Sequence, residues 1–588
     1  MRKFIFVLSA LVPMLMNSCC NGVDGNIGFV EAAEPVELTQ EQADAWNAVA
    51  DGLHGAWADA DLLYGRSVVP EGLDFGAKRL VAWRGERVSA QIVLWSRNAV
   101  SGVKCKVKEL ESDEEVLPSS AVNTYFVRYT LADQMTPEFM ETSRLKKGTV
   151  PEVLIPDMLD TLSCLDMEEC SARPVWLTVD VPQDAVPGVY KAEVVVRHDG
   201  FGKVVLPMEL EVVSHVLPDS DDWSYYLDLW QHPTSVARAH GLEVWSDEHF
   251  EAMKPVMQRL ADAGQKVVTA TLNKDPWNHQ CYDGYEAMIT WTKCKDGSWK
   301  YDYKVFDRWV EMMLDLGIDK AINCYSMVPW NCELEYFDEA EGRLVTVKAE
   351  PGTPIFPEIW RPFLMDFKKH LDGKGWLPFT NIAMDERAPE AMEAAAKVLE
   401  ECAPEMGFAL ADNHKSYKKF TMMRDVCVSM RHSVVDREDI VMRRENGQTT
   451  TFYVCCNPSF PNTFTGSQPY ESEMLGWYNL AYDYDGMLRW AYNSWAEDPQ
   501  YDSRFGNWMS GDTYLVYPYN RSSIRFERLR DGIEIAEKVR QLRREGVEMP
   551  EVEKCLEEIR SMNANDYTLD WRGMISRARA ALDEVSKR

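Results

Sequence analysis

TNIAMDERAPEAMEAAAKVLEE, residues 380–401, joins two secondary-structure rhythms with a chemical signal between them. An apolar run from Phe379 to Met384 reads as a buried strand, Asp385 and Glu386 follow side by side, and a long helical pattern begins just after them. Such a strand-to-helix junction belongs to a β/α architecture, in which these junctions face the end of the sheet where active sites gather. A carboxylate pair placed there suits acid/base work on glycosidic bonds. An acidic helix start would put Asp and Glu at the same place on electrostatic grounds alone, so the rest of the chain has to decide.

From Trp223 onward apolar segments alternate with amphipathic ones. The candidate strands are 223–230, 266–273, 320–327, 377–384, 406–412, 426–431, 450–456 and 486–495. Helical patterns fill the gaps, among them 246–264, with Ser246 as N-cap and Gly264 as stop, and 303–317. Eight strands with helices between them, over some 300 residues, predict a (β/α)8 barrel of the TIM type. A doubly wound sheet fits less well, because no Gly-rich phosphate loop follows the first strand. Upstream, segments such as RVSAQIVLW (87–95) and YKAEVVVRH (190–198) alternate with period two between Pro/Gly turns, predicting an antiparallel β-sandwich. The expected organisation is a leader (1–18), a linker (19–44), the sandwich (45–218), the barrel (219–535) and a short C-terminal helical segment (536–588).

The leader MRKFIFVLSALVPMLMNSCC has a basic start and an apolar stretch too short to span a membrane comfortably. Its ending, Met16-Asn17-Ser18-Cys19, is similar to a bacterial lipobox with Cys19 as the lipidated residue; a signal peptide without lipid is the alternative. An exported protein, lipid-anchored to the outer membrane and facing the periplasm or the cell surface, is therefore expected, touching the membrane only through that anchor. The net charge of −31 argues against nucleic acid as partner, since phosphate neutralisation needs clustered Lys and Arg. Fourteen cysteines show neither a dense disulfide framework nor paired zinc knuckles.

Residues adjacent on a strand point to opposite faces. At a strand end one can thus aim into the mouth while the other leans sideways, but two carboxylates this close in sequence do not suit the opposed acid and nucleophile of a standard retaining glycosidase, whose carboxyls flank the bond from different chain segments. They suit substrate-assisted cleavage, in which the sugar's 2-acetamido carbonyl attacks the anomeric carbon, one carboxylate orients the acetamido nitrogen and the other protonates the leaving oxygen. That second acid needs a raised pKa, which an aromatic-lined pocket supplies. Twenty tryptophans and 24 tyrosines exceed what burial requires, and exposed rings stack on sugars. The candidates for substrate contact are Trp230, Tyr325, Tyr482, Trp490, Tyr492, Trp495, Trp508, Asp512, Tyr514 and Tyr517. Half of the aromatic ones are expected to be core, and Gly511-Asp512 also reads as a plain turn. No nucleophile elbow, zinc helix, P-loop or EF-hand loop occurs, and His232, His240, His279 and His414 lack ligand spacing, so neither metal nor organic cofactor is expected.

With these stretches in hand, the chain resembles glycoside hydrolase family 123, retaining β-N-acetylgalactosaminidases that use substrate-assisted catalysis. WRGERVSAQIVLW (83–95), PVWLTVDVPQDAVPGVYKAEVVV (174–196), MITWTKCKDGSWKYDYKVFDRWV (288–310), CYSMVPW (324–330), NIAMDE (381–386), GMLRWAYNSWAEDP (486–499), GDTYLVYPY (511–519) and IRFERLRDGIE (524–534) carry the likeness. It spans about residues 40 to 540. The resemblance implies a β-sandwich packed on a (β/α)8 domain, Asp385 as the residue assisting the acetamido group and Glu386 as general acid/base. It implies an exo-acting enzyme for glycans ending in β-linked GalNAc. Two other readings stay open: a surface glycan-binding lipoprotein that lost turnover, and a hydrolase for another β-hexosamine or a larger glycan.

Overall fold

The computed structural model describes residues 30–136, 150–200, 202–412, 414–430 and 435–588. The leader and Cys19 lie outside the described residues. Ten strands open the fold: β1 (His54–Ala58), β2 (Lys78–Arg84), β3 (Arg87–Ser96), β4 (Val100–Val107), β5 (Val122–Asp133), β6 (Glu152–Asp160), β7 (Leu165–Met167), β8 (Ser171–Asp180), β9 (Gly188–Arg197) and β10 (Lys203–Val216). They form two sheets, β1-β3-β8-β5-β6 and β2-β10-β9-β4-β7. Alternation builds the core between them: on β9, Tyr190, Ala192, Val194 and Val196 are buried, and they meet Ile92, Val175 and Leu177 of the other sheet. One pairing departs from the antiparallel expectation, because β2 runs parallel to β10 with Lys78 opposite Met208. The cause is the turn at Gly85 (φ +83°), which sends β3 into the other sheet and leaves β2 to pair with a later strand. A Cβ at Gly85 would lie 2.5 Å from the Leu217 carbonyl.

Beyond the sandwich come β11 (Tyr226–Leu229), β12 (Val267–Thr271), β13 (Thr290–Lys293), β14 (Trp299–Asp302), β15 (Ala321–Tyr325), β16 (Glu333–Asp338), β17 (Arg343–Lys348), β18 (Thr380–Asp385), β19 (Gly407–Asp412), β20 (Met423–Ser429), β21 (Thr449–Tyr453), β22 (Gly486–Arg489) and the two-residue β23 (Ser522–Ser523). Eight of these are parallel neighbours in the order β11-β22-β21-β20-β19-β18-β15-β12. The ring closes through a parallel bridge between Leu227 and Gln265 and a 2.9 Å bond from Lys266 N to Leu227 O. Each of the eight overlaps an expected segment, although β18 runs one residue past its segment, β21 and β20 begin one and three residues before theirs, and β22 stops at Arg489 with the remainder of 486–495 as loop. Strands buried on both faces read as continuous apolar runs, which is why the sequence marks them clearly.

Between the strands, the helix Asp247–Ala261 starts where Ser246 Oγ accepts from His249 N at 3.1 Å. The helix Pro389–Cys402 starts on a proline, whose missing N–H would have had no partner there. The strands β13, β14, β16 and β17 form a four-stranded accessory sheet in the segments after β12 and β15, which the sequence reading did not foresee. The boundary expected at 535 falls inside the helix Ile524–Arg544, and that expected at 44 inside the helix Gln40–Ala48. Gly476 and Gly532 let Ile524–Arg544 approach the helix Pro469–Tyr482 closely: a Cβ on Gly476 would sit 2.1 Å from Gly532 O. The last helices are Pro550–Ser561 and Trp571–Ser586.

The sandwich grips the long loop between β22 and Ile524–Arg544. β23 adds to its sheet beside β6, with Ser522 opposite Leu159. Buried ion pairs join Arg525 to Asp157 at 2.9 Å and Arg521 to Asp160 at 3.1 Å. Thr130 Oγ1 donates to Pro499 O at 3.1 Å, and Asp133 N donates to Ser510 Oγ at 2.8 Å. That loop carries Trp490, Trp508 and Asp512, so the sandwich steadies one wall of the barrel mouth.

Candidate active site

Asp385 is the last residue of β18, and Glu386 the first beyond it. Asn381, Ala383 and Asp385 share one face of the strand. Asn381 Nδ2 donates to Asn323 Oδ1 on the neighbouring β15 at 2.9 Å, and Asn323 Nδ2 donates in turn to Asp425 Oδ2 at 3.3 Å on β20, which is not a neighbour of β15, so this face looks inward and brings Asp385 to the C-terminal mouth. There the Trp330 indole N–H donates to Asp385 Oδ2 at 2.9 Å. Arg387 Nε donates to the Asp385 carbonyl at 2.7 Å, and its guanidinium lies 4.1 Å over the Trp330 ring. Burial, then the charge of Glu386, push the Asp385 carboxyl up to about 6, against the opposing pull of Trp330 and Arg387. That rise is on the acid assigned to the acetamido group, an outcome the sequence did not anticipate.

A regular strand would send Glu386 outward, but its φ of 45° turns the chain instead. Left-handed backbone at a residue with a Cβ costs on the order of 1 kcal/mol. The bond from Glu386 N to Ala411 O, 2.9 Å long on neighbouring β19, holds the turn. The Glu386 carboxyl thereby reaches the end of β21, where the Tyr453 hydroxyl donates to Oε1. Burial and the Glu386 charge raise the Tyr453 pKa, keeping that hydroxyl protonated and donating.

Beside the acids an aromatic cluster fills the mouth separately from the main core. Trp230, Trp277, Tyr285, Tyr325 and Tyr453 line it, with the small Ala383, Ala409 and Ala411 among them and Trp490 at its edge. Trp230 lies 4.9 Å from Trp277 and 4.7 Å from Tyr325, both tilted. Trp490 lies 5.4 Å from Trp508. These rings bury one another with the small side chains, so the apolar surface left to seat a sugar face is that of the half-buried Trp490 and Trp508 at the edge of the cluster.

Of the ten residues expected to contact substrate, Trp230, Tyr325, Trp490 and Trp508 come together here. Asp512 stands behind them: fully buried, it accepts from Trp490 Nε1 at 3.0 Å and from Arg489 Nη2 at 3.1 Å, and it anchors the wall instead of facing the pocket. The remaining five are corrected by their surroundings. Tyr482 ends the helix Pro469–Tyr482, which leads into the N-terminal end of β22, and its hydroxyl donates to Arg560 O at 3.5 Å, away from the mouth. Tyr492 is buried against Phe526, its hydroxyl bonded to Val256 O at 2.9 Å, and Trp495 is buried with its N–H on Val516 O at 2.6 Å. Tyr514 and Tyr517 are buried on the sandwich side, Tyr517 donating to Asp157 Oδ2 at 2.7 Å. Aromatic density near a strand end did not distinguish wall from core.

Trp277, Tyr285, Trp330, Arg387 and Tyr453 were missed. Tyr453 closes the seventh barrel strand and could have been found by the rule applied to Trp230. Trp277 and Tyr285 sit in the aromatic-rich segment after β12. Trp330 carries no such mark. Among the described residues no group of three or more His, Cys, Asp and Glu side chains is gathered as for a metal ion. A cavity of 420 Å³ lined by Tyr226, Lys266, Asn381 and Asp425 opens at the opposite end of the strands. Asn381 precedes Asp385 by four residues, roughly 13 Å of strand rise.

The glycoside hydrolase 123 catalytic domain matches residues 230–542, and the glycoside hydrolase 123 N-terminal domain matches residues 57–198. A family 123 glycoside hydrolase from Clostridium perfringens, solved to give the details of glycolipid glycan hydrolysis, is 26% identical with a TM-score of 0.82, covering 91% of this chain and 97% of that one. A Bacteroides ovatus GH5 xyloglucanase in complex with a XXXG heptasaccharide aligns over 78% of this chain and 98% of its own at 12% identity, but its TM-score of 0.29 supports no inference. No curated protein matches the sequence. With the acids at the mouth of the barrel and both domains matched in order along it, the chain belongs to glycoside hydrolase family 123 and is a glycoside hydrolase.

Proposed function

We propose that the protein is an exo-acting, retaining β-N-acetylgalactosaminidase that uses the substrate's own acetamide as nucleophile. The adjacency of Asp385 and Glu386 carries this reading: two acids sharing one peptide bond at one strand end do not flank a sugar ring from opposite sides. In the first step the acetamido carbonyl oxygen bonds to the anomeric carbon as the glycosidic C–O bond breaks. Glu386 gives its proton to the leaving oxygen, while Asp385 accepts from the acetamido N–H and stabilises the oxazolinium that forms. Water then attacks the anomeric carbon, Glu386 takes its proton, and the acetamide is restored with retention. The aromatic cluster seats the sugar, and the relative from Clostridium perfringens, studied for glycolipid glycan hydrolysis, makes a terminal sugar of such glycans a reasonable substrate.

The deciding assay is release of p-nitrophenol from the β-GalNAc and β-GlcNAc glycosides, with inhibition by a GalNAc-thiazoline. Turnover of the β-GalNAc glycoside that the thiazoline blocks supports the reading. Failure of folded protein to hydrolyse either glycoside rejects it. We also place the enzyme outside the cytoplasm, anchored to the outer membrane by a lipid on Cys19; labelling with a radioactive fatty acid that persists in Cys19→Ala would refute this.

A further inference from the structure

Three cations in the segments that follow β11, β12 and β22 are neutralised by carboxylates. Arg238 pairs with Asp283 at 2.8 Å, Lys274 with Glu286 at 3.7 Å and Arg504 with Asp502 at 2.7 Å. Arg387, directly after the two acids, differs. Among the described residues it has no ion pair, and its Nε bond goes to a main-chain carbonyl, that of Asp385. A guanidinium carries five N–H donors, so the four on its two terminal nitrogens remain for a ligand. The group is held flat, 4.1 Å over the Trp330 ring, and Trp330 itself is 41% exposed. Cation–π contact fixes the plane of the fork while leaving its outer edge open.

The location sets the ligand. In the proposed mechanism the aromatic seat takes the sugar that is cleaved, and the bond breaks at the acids. Trp330 is far more exposed than the buried rings of the seat, none of which exceeds 5%, so Trp330 and Arg387 stand outward of the seat, on the side from which the rest of the glycan extends in an exo-acting enzyme. An anionic group arriving there faces Asp385 and Glu386 in a chain of net charge −31, and is repelled unless a cation answers it. Burial depresses the Arg387 pKa, and Asp385, Cys332 and Glu386 oppose the shift.

We propose that Arg387, stacked on Trp330, recognises a carboxylate or sulfate ester on the leaving sugar, making acidic glycans the preferred substrates. This rests on the hexosaminidase reading above. The fork of Arg387 matches two oxygens of either group, and a planar bidentate contact is the strong form of such recognition.

Three disaccharides test it, each with the same 2-acetamido sugar β-linked to galactose, to galactose 6-sulfate or to galacturonic acid. The readout is the ratio of acidic to neutral kcat/KM, in which any loss common to all substrates cancels. The wild-type ratio is expected above one for at least one acidic substrate, and to fall as salt screens the contact. Arg387→Gln is expected to lower the ratio about 10-fold or more, and Arg387→Lys to lower it less. Preference for sulfate over carboxylate, or the reverse, identifies the acid. A wild-type ratio at or below one, or a ratio unchanged in Arg387→Gln, overturns the proposal and leaves Arg387 as a prop for Trp330. If folded protein hydrolyses none of the three, the hexosaminidase reading fails and this proposal fails with it.

Discussion

Trp330, in the segment after β15, and Asp385, at the end of β18, are joined by an indole N–H that donates to the carboxylate at 2.9 Å. The bond reaches Oδ2 and fixes the plane in which the other oxygen meets the substrate. It also stabilises the ionised form, opposing the burial that raises the Asp385 pKa. Trp330→Phe keeps the ring under Arg387 and deletes the donor. Its kcat is expected to fall about 10-fold, the scale of one hydrogen bond to a charged group. Its acid limb in the pH profile is expected to move to higher pH, which a loss of ring stacking alone would not cause.

Burial and the neighbouring Glu386 charge hold the Asp385 carboxyl up at about 6. Because the value is raised, the carboxyl is protonated below about 6 and ionised above it, and only the ionised form can accept from the acetamido N–H. The profile of kcat/KM, which reports free-enzyme groups, is therefore expected to climb with pH through an apparent pKa of about 6. The limb belongs to the pair of acids as a unit, since they sit side by side. Asp385→Asn is expected to abolish the limb together with most of the activity, and thiazoline affinity should drop with it. A limb retained at the same pH in Asp385→Asn would assign it to another group.

Tyr453 holds Glu386 from the end of β21. Without that donor the Glu386 side chain loses its orientation toward the leaving oxygen, while the carboxyl itself remains. Tyr453→Phe is expected to cost about 10-fold in kcat. Glu386→Gln, which removes the proton donor, is expected to cost about 100- to 10,000-fold. Comparing p-nitrophenol with a poorer leaving group separates the two roles: the loss in Glu386→Gln should deepen for the poorer one, because it needs the proton more.

The barrel was legible in the sequence because its strands are buried on both faces and read as apolar runs separated by amphipathic helices. Asp385 and Glu386 were legible because they break such a run at its end. Register within the mouth was not. Trp490 and Tyr492 lie two residues apart just beyond β22, yet Trp490 lines the mouth while Tyr492 packs against Phe526, because β22 stops at Arg489 and strand alternation no longer applies. Trp330 was invisible for a different reason. It reaches Asp385 from the segment between β15 and the accessory strand β16, and no periodicity links residues 55 positions apart. The turn at Glu386 was hidden as well, since a Glu gives no sign of left-handed backbone in the way a Gly does.

Asp512 tests whether a buried acid can shape a sugar site without touching the sugar. It is enclosed with Arg489, both side chains wholly buried, and its Oδ1 also takes the Trp490 indole N–H. Burial disfavours charge on both partners, raising the Asp512 pKa and lowering that of Arg489, so the pair persists through mutual attraction and hydrogen bonding. Asp512→Ala leaves a guanidinium in the interior without its carboxylate, a change that costs about 3–5 kcal/mol when a buried pair is broken. Asp512→Asn keeps an acceptor for Arg489 and Trp490 and removes only the charge. The thermal unfolding midpoint is expected to fall in the order wild type, Asn, Ala. KM is expected to rise in the same order as Trp490 loses its anchor, with kcat changed less because the acids on β18 are untouched. A large kcat loss in Asp512→Asn with KM and stability preserved would mean that Asp512 meets the substrate itself, and the wall-anchor assignment would have to be withdrawn.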